Sequence, residues 1–457
     1  MADSPAKSIA ILGAGVTGLA AAHRLVRLGH RVRVFEASTE IGGAVHTERA
    51  DGWLIERGPN SLLAGDPAIV RLIDELGLTG EQVSASPEAK HRFIVRRGQP
   101  VAAPLSPPAF LRSGLFSVGA KLRVLTEFLA PKRSRTTDLS LETLVASHFG
   151  SEVVDYGLNP FVAGVYAGNP QRLSARHAFP RLWEMERTHG SFLRAQIAAA
   201  KERRARGEPT QPGIVSFRRG LQALPEALAA RLPEGTLLTE ARVETLLPGR
   251  TWNVIWRSGR ETRNESFDRV IAALPAPALA QLRFGPLAER PLASLDNIEH
   301  PPLASLFLGY RREQVTHALD GFGMLVPAVE HRSILGVIFS SSLFAGRAPD
   351  GHVALTVMVG GSRQPELARL PAEELLAAVK PDLEALLAVK GAPVFQRHAF
   401  WPRAIPQYNL GYETFLETMA ATERLHDGLF IGGQARDGIA LPACLLAGEK
   451  LAARAAR

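Results

Sequence analysis

The chain holds one cysteine, Cys444, in 457 residues. A lone thiol forms no intrachain disulfide and builds no structural zinc site by itself, so a disulfide scaffold is excluded and a reducing compartment is favoured. Its 13 histidines never fall as His-x-x-x-His, and no Ser-His-Asp arrangement stands out. The residues for metal-assisted hydrolysis or a serine nucleophile are therefore not assembled, and the metal expectation is none. Any redox chemistry must be borrowed from a cofactor. No apolar run approaches the ~18 residues a spanning helix needs, and Met1 to Ser8, with Asp3 and Pro5, reads as neither signal peptide nor transit sequence. Contact with a membrane would be peripheral. What is present is ample apolar material, 46% of residues, in a length that suggests about three domains of ~150 residues. Lys+Arg exceeds Asp+Glu by 53 − 45 = +8, which biases the surface toward anionic partners. That excess is spread out and no recognition module is visible, so nucleic acid is not an expected partner.

The first forty residues read as a βαβ unit. Ile9 to Leu12 is a buried-strand run, Gly13 to Gly18 a glycine turn, Val16 to Leu28 a helix, and Arg31 to Glu36 a second strand. Asp66 to Leu76 reads as a capped amphipathic helix. Four prolines between Pro100 and Pro108 mark a change of character, after which Phe110 to Leu129 is apolar at helical spacing and helical material runs to Glu208. β-rich sequence then returns from Thr236 to Ala273. A third region alternates strand-like runs, such as Leu303 to Leu308 and Val353 to Val359, with one helix, Ala372 to Leu387. The last forty residues read strand (Leu429 to Gly432), glycine-rich turn, helix (Pro442 to Ala456). The resulting division is a nucleotide domain from 1–79, 212–288 and 421–457, a substrate domain from 80–108 and 289–420, and a helical insertion at 109–211.

Gly13-x-Gly15-x-x-Gly18 lies between a strand and a helix, the context a dinucleotide fingerprint requires. One glycine turns tightly, one admits the pyrophosphate, and one packs the helix on the sheet, while Ala14, Val16 and Thr17 fill the turn. The pyrophosphate would rest on the helix N-terminal amides. Glu36 ends the next strand, where a carboxylate accepts hydrogen bonds from a ribose diol and repels a 2′-phosphate, with Ala37 beside it. FAD or NAD is thus indicated over NADP. Ile41-Gly42-Gly43 followed by Ala44, and Glu56-x-Gly58-Pro59 followed by Asn60 and Ser61, add backbone that approaches a long flavin nucleotide. Gly432-Gly433 through Gly438-Ile439-Ala440-Leu441-Pro442 offers a second turn into a helix N-terminus, suited to the negative edge of a reduced flavin.

This pair of glycine turns resembles the amine-oxidase-like flavoprotein superfamily. Three further strings resemble its oxygen-dependent protoporphyrinogen oxidase family: His91-Arg92-Phe93-Ile94-Val95-Arg96-Arg97-Gly98, Asn159-Pro160-Phe161-Val162-Ala163-Gly164-Val165-Tyr166-Ala167-Gly168-Asn169-Pro170, and Gly321-Phe322-Gly323-Met324-Leu325-Val326-Pro327. The likeness runs nearly end to end. It implies an α/β (mixed α+β) chain with a Rossmann-like FAD-binding domain, a mixed-sheet substrate domain and a helical membrane-binding insertion. It implies non-covalent FAD, a porphyrinogen substrate oxidised to a porphyrin, and O2 as acceptor with H2O2 formed.

Residue by residue, the resemblance places Arg92 at a substrate propionate, which a guanidinium binds through paired hydrogen bonds. It places the Gly164 carbonyl at the pyrrole N–H groups, and Phe322, Leu325 and Met358 as walls of the macrocycle slot. It sets Val243 near the adenine, Trp401 near the isoalloxazine, and Ile439, Ala440 and Leu441 at its pyrimidine edge. Two departures stand out: Ala44 replaces an arginine often found after the paired glycines, and the C-terminal turn lacks the usual asparagine pattern.

In the insertion, Phe110, Leu111, Leu115, Phe116, Val118, Leu122, Val124, Leu125, Phe128 and Leu129 lie among Lys121, Arg123, Lys132, Arg133 and Arg135. The residues alone suit an interfacial surface and an ordinary core-facing helix equally. The resemblance selects peripheral binding at the inner face of the cell membrane, in a cytoplasmic protein. A homodimer is the default assembly. The rival readings are a coproporphyrinogen III oxidase, whose extra propionates call for extra cations, and another amine-oxidase-like oxidase, which would place paired tyrosines before the flavin. The chain has five tyrosines, and such a cage is not evident among them.

Overall fold

The computed structural model describes residues 6–132, 135–205 and 213–457. Its centre is a five-stranded parallel sheet in the order Leu237–Leu238, Arg31–Phe35, Ser8–Leu12, Arg269–Ala272, Leu429–Ile431. Both faces are covered, as parallel sheets require. Ile9 and Ile11 point to one side, onto the helices Val16–Arg27 and Leu441–Ala456; Ala10 and Leu12 point to the other, onto the strands Arg242–Leu247 and Trp252–Ser258 of a second sheet. The helix Pro67–Glu75 is capped as its sequence indicates, with the Asp66 carboxylate accepting from the Ala68 N–H at 2.8 Å.

A seven-stranded mixed sheet runs Phe395–Trp401, Leu303–Arg311, His352–Gly360, Gly336–Ile338, Gly321–Leu325, His91–Arg96, Gln99–Ala102. The helix Ala372–Leu387 covers one face through Leu375, Val379, Leu383 and Leu386, a helical stripe buried against Leu306, Leu308 and Val357. The other face looks toward the nucleotide domain, where Phe307 packs on Trp53. The strand Gln82–Ser84 pairs with Ile214–Phe217 in a small separate sheet, not with the seven strands. A second helix of the third region, Glu413–Leu425, has no counterpart in the sequence reading.

The insertion differs from expectation in two ways. The apolar stretch from Phe110 to Leu129 is not one helix: it breaks into Pro107–Arg112, Val118–Thr126 and a 3₁₀ turn, Glu127–Leu129, each helix starting at its own serine cap, Ser106 and Ser117. Its cations are also less free than their position suggested. Lys121 donates to the Leu111 carbonyl at 2.9 Å, Arg123 to that of Ala146 at 3.2 Å, and Arg135 grips the Glu186 carboxylate in a fork at 2.7 and 3.0 Å. Arg133 and the expected end of the insertion, Arg206 to Glu208, lie outside the described residues.

At the insertion's centre His148 sits between two buried carboxylates, Nδ1 at 3.0 Å from Glu127 and Nε2 at 3.0 Å from Glu186. Glu127 also accepts from the Ser191 hydroxyl and the backbone N–H groups of Phe192 and Leu193. Burial pushes the Glu186 carboxyl up, but hydrogen bonds from Arg135 and His148 outweigh it and hold the group below its ordinary value.

Candidate active site

The two glycine turns, more than 400 residues apart in sequence, lie side by side. The Gly13 N–H donates to the Phe35 carbonyl at 2.7 Å, and a Cβ on Gly18 would overlap the Gly13 carbonyl oxygen, so the fingerprint helix can start where it does only without a side chain. Gly42 donates to the Ala14 carbonyl at 2.8 Å, and Gly43 lies against Gly15. A Cβ on Gly58 would overlap the Ala44 carbonyl oxygen, so the loop Gly58 to Ser61 presses directly on the second glycine pair, and Asn60 donates back to the Gly58 carbonyl at 3.2 Å. From the far end, Gly432 donates to Ala272 at 3.2 Å, and the Thr17 hydroxyl donates to the Cys444 carbonyl at 3.0 Å. Gly448 meets the Thr17 backbone with no room for a side chain. Thr17 is therefore a clasp between the first and last helices.

Glu36 is also engaged within the protein. One carboxylate oxygen accepts from the Ala14 N–H at 2.8 Å and the other from the N–H and hydroxyl of Ser38, both at 2.9 Å. A carboxylate has about four acceptor sites, so capacity toward a ribose remains, but bracing the fingerprint loop is its visible role.

Beside these loops opens a cavity of about 690 Å³ lined by Leu12, Phe35, Ala37, Val243, Leu274 and Gln434 among others. Its size falls in the range of cofactor sites. Val243 and Ala37 line it as expected of adenosine contacts. Trp401 does not; its indole donates to the Arg57 carbonyl at 2.9 Å, closing over the Gly58 loop, while Arg403 and Ala404 reach the cavity instead. Ile439 and Ala440 lead into the N-terminus of the helix Leu441–Ala456, with Pro442 in its first turn. The residues fit FAD: glycine turns closed to side chains at Gly13, Gly18, Gly42 and Gly58, an acid beside them, and a cavity of cofactor size.

The substrate-site residues meet at the junction of the insertion and the seven-stranded sheet. Gly321 pairs with His91 but Gly323 with Arg92, so Phe322 is the extra residue of a bulge. The bulge turns Phe322 and Leu325 to the same half-buried face while Met324 enters the core. The Arg92 guanidinium lies 5.8 Å over the Phe322 ring. A Cβ on Gly164 would come within 2.5 Å of Leu325, so the helix Asn159–Tyr166 touches that strand through a bare backbone. A π-turn, Val154–Leu158, precedes Pro160, whose ring cannot continue the α ladder. Met358 and Ala404 both pack against a buried cluster of Ala163, Ala167, Leu303 and Leu335, and Ala404 also lines the cavity. Arg92, Gly164, Phe322, Leu325 and Met358, scattered over 267 positions (358 − 92 + 1), thus come together.

Other polar residues here went unread in the sequence. The Asn159 side-chain oxygen accepts from Ala328 N–H at 2.9 Å and from Arg363 at 3.0 Å, and Arg363 also donates to the Val326 carbonyl. Burial lowers the Arg363 guanidinium to about 10. Tyr408 and Tyr412 lie with ring centroids 4.4 Å apart, tilted by 30°, both buried and hydrogen-bonded to the backbone of the C-terminal turn. Their spacing of four, just ahead of a helix, was the available signal.

Residues 16–456 match the family described as flavin containing amine oxidoreductase, and the chain belongs to it. Within that class the chain is 35% identical to the mitochondrial protoporphyrinogen oxidase of Nicotiana tabacum, over 97% of this chain and 94% of the relative, which places it in the protoporphyrinogen oxidase family. It is 31% identical to a coproporphyrinogen III oxidase of Propionibacterium freudenreichii subsp. freudenreichii, over 96% of this chain and 88% of that one. A solved structure from Exiguobacterium sp. 255-15 superposes with a TM-score of 0.81 at 24% identity, covering 99% of both chains, and shares the fold. As a flavin-containing oxidoreductase of this family, the chain takes FAD as its cofactor.

Proposed function

We propose that the chain oxidises protoporphyrinogen IX to protoporphyrin IX with O2 as acceptor and H2O2 as by-product. The observation that carries this is the contact of Gly164 with Leu325, on the same strand whose Phe322 lies under the Arg92 guanidinium. Bound FAD supplies the hydride acceptor for a methylene bridge of the macrocycle. Arg92, which makes no ion pair among the described residues, binds a propionate. Gly164 presents its carbonyl to the pyrrole N–H groups, and Phe322, Leu325 and Met358 hold the ring and keep water from it. Apolar walls leave little for an acid or base to do, and the aromatic product drives the later tautomerisations.

A coproporphyrinogen reading needs further cations for its extra propionates. Three nearby ones are committed: Arg96 to Glu152 at 2.7 Å, Arg332 to Asp382 at 3.2 Å, and Arg363 to a carbonyl and Asn159. This favours the substrate with fewer carboxylates. The test is purified protein with flavin absorbance, given each porphyrinogen in air while porphyrin fluorescence is followed. Faster growth with protoporphyrinogen is expected; faster growth with coproporphyrinogen overturns the assignment.

The same reading includes peripheral attachment to the inner face of a membrane. No helix among the described residues is long and apolar enough to cross one. Val118, Leu122, Leu125 and Leu129, spaced four, three and four, are instead 72%, 59%, 53% and 78% exposed. An outward apolar stripe on a short helix is the form an interfacial surface takes.

A further inference from the structure

The geometry points to Tyr408 and Tyr412 as positioning residues that set the flavin's reduction potential by fixing the C-terminal turn. The tyrosines lie in the segment after the strand Phe395–Trp401, both fully buried. The Tyr408 hydroxyl donates to the Gln434 carbonyl and accepts from the Gly438 N–H at 3.0 Å. That of Tyr412 donates to the Ala435 carbonyl at 2.8 Å. Three backbone groups of one turn therefore rest on two adjoining phenols.

Gln434 and Ala435 also line the cavity, so the residues whose carbonyls the phenols hold are ones that border it. Gly438, at φ +119°, is the last bend before Ala440 opens the helix Leu441–Ala456. The N–H of Leu441 has no partner within its own helix, and Pro442 removes the next one, so few amides are available and their placement matters. On its other side the turn is held by Asp437, which accepts from the Gly433 N–H at 2.8 Å, and by Arg436, which donates to the Ile431 carbonyl at 2.8 Å and pairs with Glu423 at 2.8 Å. The tyrosines hold its middle from the other side, beside the turn's own Arg436 and Asp437 N–H bonds to the Gly433 carbonyl, both at 2.9 Å.

Packing alone would be served as well by phenylalanine, because a buried hydroxyl is costly unless bonded. Here both hydroxyls are bonded to the same turn, and burial raises both phenols above their ordinary range, so they stay protonated donors at every working pH. Fixed dipoles aimed at charge that develops on reduction stabilise it without reorganising. A turn freed of Tyr408 would relax away from that charge.

This rests on the flavin reading above. The experiment uses the full-length holoenzyme as Tyr408→Phe, Tyr412→Phe and the double variant, each keeping its ring volume. The readouts are the flavin spectrum, the melting temperature and the two-electron potential against a reference dye. Tyr408→Phe is expected to shift the equilibrium about tenfold toward oxidised flavin, about 30 mV lower, with a smaller shift for Tyr412→Phe. A variant that melts earlier at unchanged potential overturns the proposal, as does one unchanged in all three. If Tyr408→Phe does not fold, Tyr412→Phe carries the test through its own carbonyl. Wild-type protein that takes up no FAD would sink the flavin reading as well; a loaded wild type with unshifted variants sinks only the tyrosine proposal.

Discussion

In the nucleotide domain the helices Val16–Arg27 and Leu441–Ala456 come closest at Gly448, which lies against the Thr17 backbone and the Ala20 methyl with no room for a side chain of its own. In the insertion the helices Leu141–Phe149 and Pro180–His189 meet through a histidine held between two buried acids. The first contact depends on what is missing from a position and tolerates no addition. The second depends on charge balance and tolerates no deletion. The two regions should therefore fail under different substitutions and respond differently to acid.

The largest effect is expected from His148→Leu, which leaves Glu127 and Glu186 buried without their shared partner. Removing one member of a buried ion group costs about 3–5 kcal/mol, read as a fall in denaturant midpoint. A fall under 1 kcal/mol would show that the insertion rests on its apolar contacts alone. Gly18→Ala comes next, at about 2–3 kcal/mol for backbone displacement, and the purified protein should be pale for want of flavin. Yellow protein of normal stability would deny the fingerprint its role. Arg92→Ala should leave stability and flavin content intact and lower kcat/KM by about 1–3 kcal/mol of transition-state binding. An unchanged kcat/KM removes Arg92 from the substrate site.

The acid response separates the regions further. Because the Glu186 carboxyl lies below its ordinary value of 4.5 when folded, its contribution is fully present above that pH and is lost as pH falls through the native value. Melting curves between pH 6 and 3 should show the wild type losing stability that Glu186→Gln never had, so the two converge at low pH. Curves that stay parallel would refute this linkage. The smallest stability effect is expected from Leu122→Gln with Leu125→Gln, within about 0.5 kcal/mol for exposed positions, yet sedimentation with anionic vesicles should drop severalfold. Undiminished sedimentation would end the membrane reading of that face.

Local pattern explains what could be read in advance. The βαβ start, the cap at Asp66 and the closing strand-turn-helix are short-range signals, and each element stands within a residue or two of its expected place. The family strings carry Arg92, Gly164, Phe322 and Leu325, and the resemblance adds Met358, though nothing local says that the strand bulges at Phe322. The His148 network was invisible because its members, at 127, 148 and 186, share no period. Position alone likewise made Arg135 and Arg123 into surface cations; only tertiary structure shows them holding a carboxylate and a carbonyl. The tyrosine pair was noticed only as too sparse for an amine cage. Its use lies behind the cofactor loop, where sequence gives no direction.

The central parallel sheet takes its edge strand, Leu429–Ile431, and the helix clasped by Thr17 from the last thirty or so positions of a 457-residue chain. Synthesis proceeds from the other end, so the fingerprint loop leaves the ribosome long before its partner exists. A nascent chain stalled before Gly433 would thus carry the fingerprint loop without the turn that lies beside it.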